Sequence, residues 1–187
     1  MSIDQGTTSS RVLVIDHNLK VLDSAGREHK QISSQPGWVE HDPEEIFKNV
    51  VECLVEVCQR NNLTADKVKG IGITNQRETT VAFDRKTGKF LHNAIVWLDQ
   101  RTSGVVAEMK AKNGGDGDAY REICGLPIST YFSAQKIKWL LDNVDGLKDA
   151  ENLTFGTIDT YLIARFTQCA SIVTDASNAS RTMLMDL

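Results

Sequence analysis

The sequence predicts an α/β fold, a mixed five-stranded sheet followed by helix-rich material. Three observations carry that expectation. Apolar runs at 12–15, 68–74, 80–83 and 90–97, and a further run opened by Val21-Leu22, read as strands bounded by turn residues. A single amphipathic helix opening at Asp42 separates the first strands from the later ones. The first two strands form a hairpin, which suits a mixed sheet better than a simple dinucleotide-binding unit, and neither GxGxxG nor GxxxxGK[ST] occurs.

The chain opens on Asp4-Gln5-Gly6-Thr7-Thr8-Ser9-Ser10-Arg11, and Val12-Leu13-Val14-Ile15 follows as a strand. Residues 1–3 are too few for a comfortable strand ahead of Asp4, so the hydroxyl cluster is expected as a tight turn leading into residues 12–15. Asp16-His17-Asn18 turns the chain, and Val21-Leu22 opens a second strand. Pro36-Gly37 marks a loop, after which residues 38–41 are extended. Asp42-Pro43-Glu44-Glu45 then starts a helix: Asp42 caps, Pro43 takes the first helical position, and Glu45 completes a capping box. Ile46, Val50, Leu54 and Val57 recur at helical spacing until an end near Asn61-Asn62.

Residues 68–74 read as a short buried strand. It delivers Asn75-Gln76-Arg77-Glu78-Thr79-Thr80 at its carboxyl end, where α/β sheets place ligand sites. Residues 80–83 and 90–97 make a hairpin around Lys86-Thr87-Gly88, and its second arm runs into Asp99 and Arg101. A helix covers 101–112, Asn113-Gly114-Gly115-Asp116-Gly117 is a loop, and a further helix starts near Ser133 with Ile137, Leu140, Leu141 and Val144 as its apolar stripe. A strand at 153–157, a helix at 159–166, and strands at 171–174 and 181–184 complete the expectation.

With 187 residues, 41% hydrophobic and 25% charged, the chain is long enough for one globular domain or a little more. A net charge of −4 and the lack of a basic run give nucleic acid no electrostatic footing. No stretch reads as a membrane span or a secretory signal. Cys53, Cys58, Cys124 and Cys169 lack metal-binding spacing and read as reduced thiols of a cytoplasmic protein, several of them in the core. Both ends look cut, and a fragment of a longer protein is the expectation.

The opening stretch holds the residue types that suit phosphate. Gly6 lets the backbone bend and a group approach closely. Thr7, Thr8 and Ser9 offer hydroxyls and successive N–H groups. Asp4 can hold a hydrated Mg²⁺, and Arg11 adds a fixed positive charge. The same residues also make an ordinary polar hairpin turn with no ligand. Arg77 and Glu78 can equally be a surface ion pair, and Trp97 a core side chain at a strand end.

Five further segments join that opening stretch in resembling one known family. They are Gly37-Trp38-Val39-Glu40-His41-Asp42-Pro43, Gly72-Ile73-Thr74-Asn75-Gln76-Arg77-Glu78-Thr79-Thr80, Asn93-Ala94-Ile95-Val96-Trp97, the run from Tyr131 to Asn143, and Asn178-Ala179-Ser180-Arg181-Thr182-Met183-Leu184. They resemble the glycerol kinases, with the Tyr131–Asn143 run resembling a signature of the wider FGGY carbohydrate kinase family, in order along nearly the whole chain. The resemblance implies a ribonuclease-H-like, actin-type ATPase fold, with residues 1–187 as a partial amino-terminal domain and the carboxy-terminal domain absent. It implies transfer of the γ-phosphoryl group of ATP to glycerol, with Mg²⁺, in the cytoplasm, with no membrane span, and it allows a homo-oligomer of the full-length protein.

The resemblance also assigns roles. Thr7, Thr8 and Ser9, with Gly6, form the phosphate turn; Arg11 is its charged neighbour and Asp4 the Mg²⁺-associated carboxylate. Arg77 and Glu78 bind glycerol hydroxyls, Trp97 walls the carbon backbone, and Tyr131 is a further hydroxyl partner. Lys136 and Trp139 are expected on the surface and in packing, and the 178–182 run as a structural loop. The family's catalytic aspartate lies in a Gly-Asp-Gln segment, which this chain lacks, so the base is expected beyond residue 187 and the isolated chain is expected to be inactive. The alternatives are another FGGY sugar kinase, for xylulose or gluconate, and a non-catalytic binding or regulatory protein.

Overall fold

In the computed structural model, which describes residues 1–187, the chain opens directly on a strand. Strand β1 (Ser2–Gln5) pairs antiparallel with β2 (Ser9–Ile15), and β2 pairs antiparallel with β3 (Val21–Glu28). The expectation that residues 1–3 were too few is corrected. β1 is held on both flanks, by β2 and by a parallel partner (Gly72–Asn75), so four residues suffice and Asp4 lies inside the strand. Ser9 and Arg11 are likewise strand residues, and the turn itself is shorter than expected.

The two-residue β4 (Glu40–His41) precedes helix α1 (Pro43–Arg60). The Asp42 side chain accepts from the N–H of Glu44 at 2.8 Å and of Glu45 at 3.3 Å, and Pro43 occupies the first turn, as the sequence implies. The capping box does not close: the Glu45 carboxylate accepts instead from the N–H of Lys30, at 3.2 and 3.3 Å. Asp42 alone therefore satisfies the orphan donors. Asp42→Ala is expected to cost about 1 kcal/mol, read as a lower urea midpoint at unchanged m-value. An unchanged midpoint would show that water replaces the cap.

Strand β5 (Gly72–Asn75) is the parallel partner of β1. It was expected to be buried, yet its residues alternate between exposed and half-buried, because β5 ends the order β3-β2-β1-β5 and so lies at an edge. The hairpin of β6 (Thr80–Asp84) and β7 (Phe90–Ile95) forms as expected. Asp84 Oδ1 accepts from Lys86 N and Thr87 N, both at 2.8 Å, and Gly88 sits at φ +70°, a conformation that favours glycine.

The hairpin does not extend the first sheet. The free edge of β6 is taken by β8 (Leu153–Gly156), antiparallel from Val81↔Gly156 to Asp84↔Leu153. Two four-stranded sheets result, β3-β2-β1-β5 and β4-β7-β6-β8, where a single five-stranded one was expected. Residues 77–187 also hold α2 (Ser103–Lys112), α3 (Arg121–Cys124), α4 (Ser133–Asn143), one 3₁₀ turn (Leu147–Asp149), α5 (Ile158–Phe166) and α6 (Ala176–Ala179), with α4 and α5 packed on β6.

Residues 171–174 and 181–184 are irregular, where strands were expected. Their backbone is engaged locally. Asp175 Oδ1 accepts from Asn178 N at 2.8 Å, Thr182 Oγ1 donates to Ala179 O at 2.7 Å, and Met183 adopts φ +62°. Side chains of this kind compete with strand pairing.

The chain divides into two compact units, residues 1–31 with 41–76, and residues 32–40 with 77–187. In the first, Val12 and Val14 of β2, Ile3 of β1 and Ala25 of β3 are buried, as are Ile46, Val50, Cys53 and Val57 on the apolar face of α1. In the second, Ala82, Ile95, Leu140 and Leu147 form a buried cluster, and Phe83 meets Tyr161 edge-on at 5.5 Å. All four cysteines are free, two of them buried. No helix is long and apolar enough to cross a membrane.

Candidate functional site

The first unit carries the hydroxyl turn. Gly6 N–H donates to the Ser9 carbonyl at 2.9 Å, closing a tight turn between β1 and β2 with Thr7 and Thr8 at its tip. Thr8 is exposed; Gly6, Thr7 and Ser9 are half-buried. A Cβ on Gly6 would stand 3.4 Å from the Ser9 carbonyl oxygen, so the turn is close-packed. Asp4 and Arg11 are cross-strand partners, both exposed, on one face of the sheet. Arg11 Nε passes within 4.0 Å of where a Gly26 Cβ would stand, over β3. Arg11 is thus the neighbour of Asp4 more than of the turn tip. No three His, Cys, Asp or Glu side chains converge on a metal position. Asp4 is a lone carboxylate, which suits an ion that keeps its own water shell.

The second unit carries the other group. Glu78 is buried, 4% exposed, and accepts from Arg181 Nε at 2.6 Å. The surface pair of Arg77 with Glu78 does not form: Arg77 is exposed, and the Glu78 partner comes from 103 residues downstream. Trp97 is half-buried just past the end of β7, and its backbone N–H donates to Thr79 Oγ1 at 3.2 Å. Its ring meets Tyr131 at 5.2 Å with an interplanar angle of 51°. The Arg181 guanidinium lies 5.6 Å from the Tyr131 ring and 5.0 Å from Phe132. Glu78, Arg181, Tyr131 and Trp97 therefore form one contiguous chain of contacts.

Arg181 and Lys136 are the two residues that sequence reasoning missed. Arg181 stands in the run read as a structural loop; its charge, in a segment that shares the family resemblance, was the signal available. Lys136, expected at the surface, is fully buried. Its amine donates to the carbonyls of Thr130 at 3.0 Å, Tyr131 at 2.5 Å and Phe132 at 3.3 Å, and so clamps the segment that carries Tyr131. Burial pushes the ammonium down to about 7, against the pull of the Asp99 and Glu78 carboxylates. Three carbonyl acceptors match the three donors of the charged form.

The β7 end is anchored by a buried ionic group. Asp99 accepts from Val39 N at 2.6 Å, from Arg101 N at 2.8 Å and from Arg101 Nη2 at 2.9 Å. Arg101 also reaches Glu40 at 2.7 Å and lies 3.9 Å over the Trp38 ring. The group of Glu78, Arg181, Tyr131 and Trp97 has the makings of a site for a small polyhydroxylated molecule: a fixed carboxylate to accept from hydroxyls, a guanidinium that holds it, and aromatic rings for C–H faces.

Comparison with known proteins gives consistent results. The profile of the FGGY family of carbohydrate kinases, N-terminal domain, matches residues 1–187. The glycerol kinase of Bacillus velezensis is 49% identical over 190 residues, and that of Oceanobacillus iheyensis 46% over 190. Each alignment covers 100% of this chain and 38% of the relative. A crystal structure of Plasmodium falciparum glycerol kinase with ADP superposes with a TM-score of 0.91 at 42% identity, over 99% of this chain and 37% of that one. A gluconate kinase from Lactobacillus acidophilus gives 0.85 at 25% identity, over 99% of this chain and 36% of that one. The chain thus spans well under half the length of the relatives it matches.

Proposed function

The chain belongs to the FGGY family of carbohydrate kinases, and on that footing we propose that it is the amino-terminal domain of a longer enzyme that phosphorylates glycerol with ATP, giving sn-glycerol 3-phosphate. One observation carries the reading: the pair of buried Glu78 with half-buried Arg181 continues directly into the Trp97–Tyr131 aromatic contact. A triol needs hydroxyl partners on one side and an apolar wall on the other. The names of the relatives support glycerol over a longer sugar, and the ADP complex of a similar kinase supports ATP as donor.

In this reading Glu78 accepts from two glycerol hydroxyls, Arg181 holds Glu78 in place, exposed Arg77 donates to a hydroxyl, and Trp97 covers the carbon backbone. The turn from Gly6 to Ser9 receives phosphate oxygens on its N–H and hydroxyl groups, with Arg11 as a nearby positive charge. Asp4 would hold Mg²⁺ through water; that ion, when bound, neutralises charge on the phosphoryl group. The base that takes the hydroxyl proton is placed outside residues 1–187, so this domain alone is inactive. The parallel pairing of β1 with β5 beside the β1–β2–β3 meander supports an actin-type, ribonuclease-H-like description of the first unit. Four free thiols suit a reducing compartment such as the cytoplasm.

Steady-state phosphorylation by the full-length protein, with glycerol, xylulose and gluconate in competition, tests the reading. Glycerol is expected to win by at least about a hundredfold in kcat/KM, a difference on the order of 3 kcal/mol. A pentulose or gluconate that outcompetes glycerol would assign the domain to a sibling activity.

A further inference from the structure

Four consecutive carbonyls of the hydroxyl turn are held by donors of the first unit. The Gly6 carbonyl accepts from Gln5 Nε2 at 2.8 Å and Gln76 Nε2 at 3.3 Å. The Thr7 carbonyl accepts from Gln31 Nε2 at 2.9 Å. The Thr8 carbonyl accepts from His29 N at 3.2 Å, and that of Ser9 from Gly6 N at 2.9 Å. Behind these stands His41, whose side chain is fully buried. Its Nε2 lies 2.8 Å from Gln31 Oε1, and its Nδ1 lies 3.2 Å from Gln76 Nε2.

An amide oxygen only accepts, so the proton of His41 sits on Nε2 and Nδ1 is bare to receive Gln76. That tautomer and the two amide orientations support one another. Gln31, with its oxygen on His41, must turn its NH₂ to the Thr7 carbonyl. The two hydrogens of the Gln76 NH₂ are shared among His41 Nδ1, Gln5 Oε1 at 3.0 Å and the Gly6 carbonyl at 3.3 Å. A planar trans peptide with its carbonyl held on one side presents its N–H to the other. Holding the carbonyls of Gly6, Thr7 and Thr8 thus sets the direction of the N–H groups of Thr7, Thr8 and Ser9. Burial, and secondarily the His29 ring 4.4 Å away, push the His41 imidazolium down to about 3, so the neutral ring persists at working pH.

We infer that neutral His41, acting through Gln31 and Gln76, is a positioning residue that orients the turn's N–H groups for a phosphate-bearing nucleotide. This rests on the phosphate reading of the turn given above. It is absent from the roles that composition and motif assign, since His41 touches no ligand position itself.

Three variants of the full-length protein test it by separate KM values for ATP and glycerol. Gln31 is exposed, so Gln31→Ala leaves the core intact, and His41→Leu removes the ring's donor and acceptor. Both are expected to raise the ATP KM about fivefold while the glycerol KM stays within about twofold. His41→Gln, which retains a donor and an acceptor, is expected to recover most of the loss. An unchanged ATP KM in Gln31→Ala, or equal rises of both KM values, would overturn the inference, and Gln31→Ala alone decides if His41→Leu does not fold. Thr8→Val at the turn tip separates the two readings. If it raises the ATP KM while Gln31→Ala does not, only the positioning role falls; if it too is silent, the hydroxyl part of the phosphate reading falls and the positioning role with it.

Discussion

Glu78→Gln is expected to lower kcat/KM for glycerol by about two to three orders of magnitude in the full-length enzyme. Each hydrogen bond from a hydroxyl to a buried carboxylate contributes about 1.5–3 kcal/mol, and Glu78 is proposed to accept two. The substitution also leaves the Arg181 guanidinium, 28% exposed, without its anionic partner. That side chain then has reason to leave the Tyr131 and Phe132 rings it lies against. Lys136 loses one of the two carboxylates that favour its charge, so its clamp on the Tyr131 segment weakens in the same variant. The check is steady-state kinetics with glycerol varied at saturating MgATP. A change below about threefold would remove Glu78 from the glycerol site and leave its pair with Arg181 as architecture.

The second large effect is on stability. Asp99→Ala is expected to destabilise the second unit by about 3–5 kcal/mol, because it strips a buried ion group of its central acceptor. The Asp99 and Arg101 side chains are both 0% exposed, so water cannot replace the lost pairing. Val39 N loses its acceptor at 2.6 Å, and Arg101 keeps only Glu40, whose side chain is 11% exposed. The Trp38 ring would then lie against a guanidinium whose charge is half compensated. Arg121→Ala is the internal comparison: its pair with Asp118 is 52% and 58% exposed at 2.7 Å. Equally short, it is expected to contribute less than about 1 kcal/mol, since solvent screens it. Urea unfolding of both variants gives the contrast, and equal costs would show that burial does not set the strength of these pairs here.

Much of the fold was legible because it is local. Asp42-Pro43 starts α1, Lys86-Thr87-Gly88 turns the β6–β7 hairpin, and the spacing of Ile46, Val50 and Val57 marks a buried helix face. The misses are long-range. Nothing near β6 reveals that β8, some 70 residues on, takes its edge and closes a second sheet. Nothing in residues 1–3 reveals that β1 is flanked by strands on both sides. In residues 171–184 apolar character suggested strands, while Asp175 and Thr182 bind the backbone locally and win.

The candidate site divides in the same way. The candidate residues were named from motifs, and the structure places Glu78, Trp97 and Tyr131 in one chain of contacts. Arg77 stands outside it, and Arg181 enters from a run assigned no chemistry. A lysine reads as surface in any sequence, so the burial of Lys136 on three carbonyls had no local signal.

The most direct test is a crystal structure of the full-length protein with glycerol and MgADP. The expected result places two glycerol hydroxyls within hydrogen-bonding distance, about 2.5–3.0 Å, of the Glu78 carboxylate, with the carbon backbone against Trp97 and the phosphate oxygens on the Gly6–Ser9 turn. Glycerol bound away from Glu78, or phosphates held by residues other than 6–9, would contradict it.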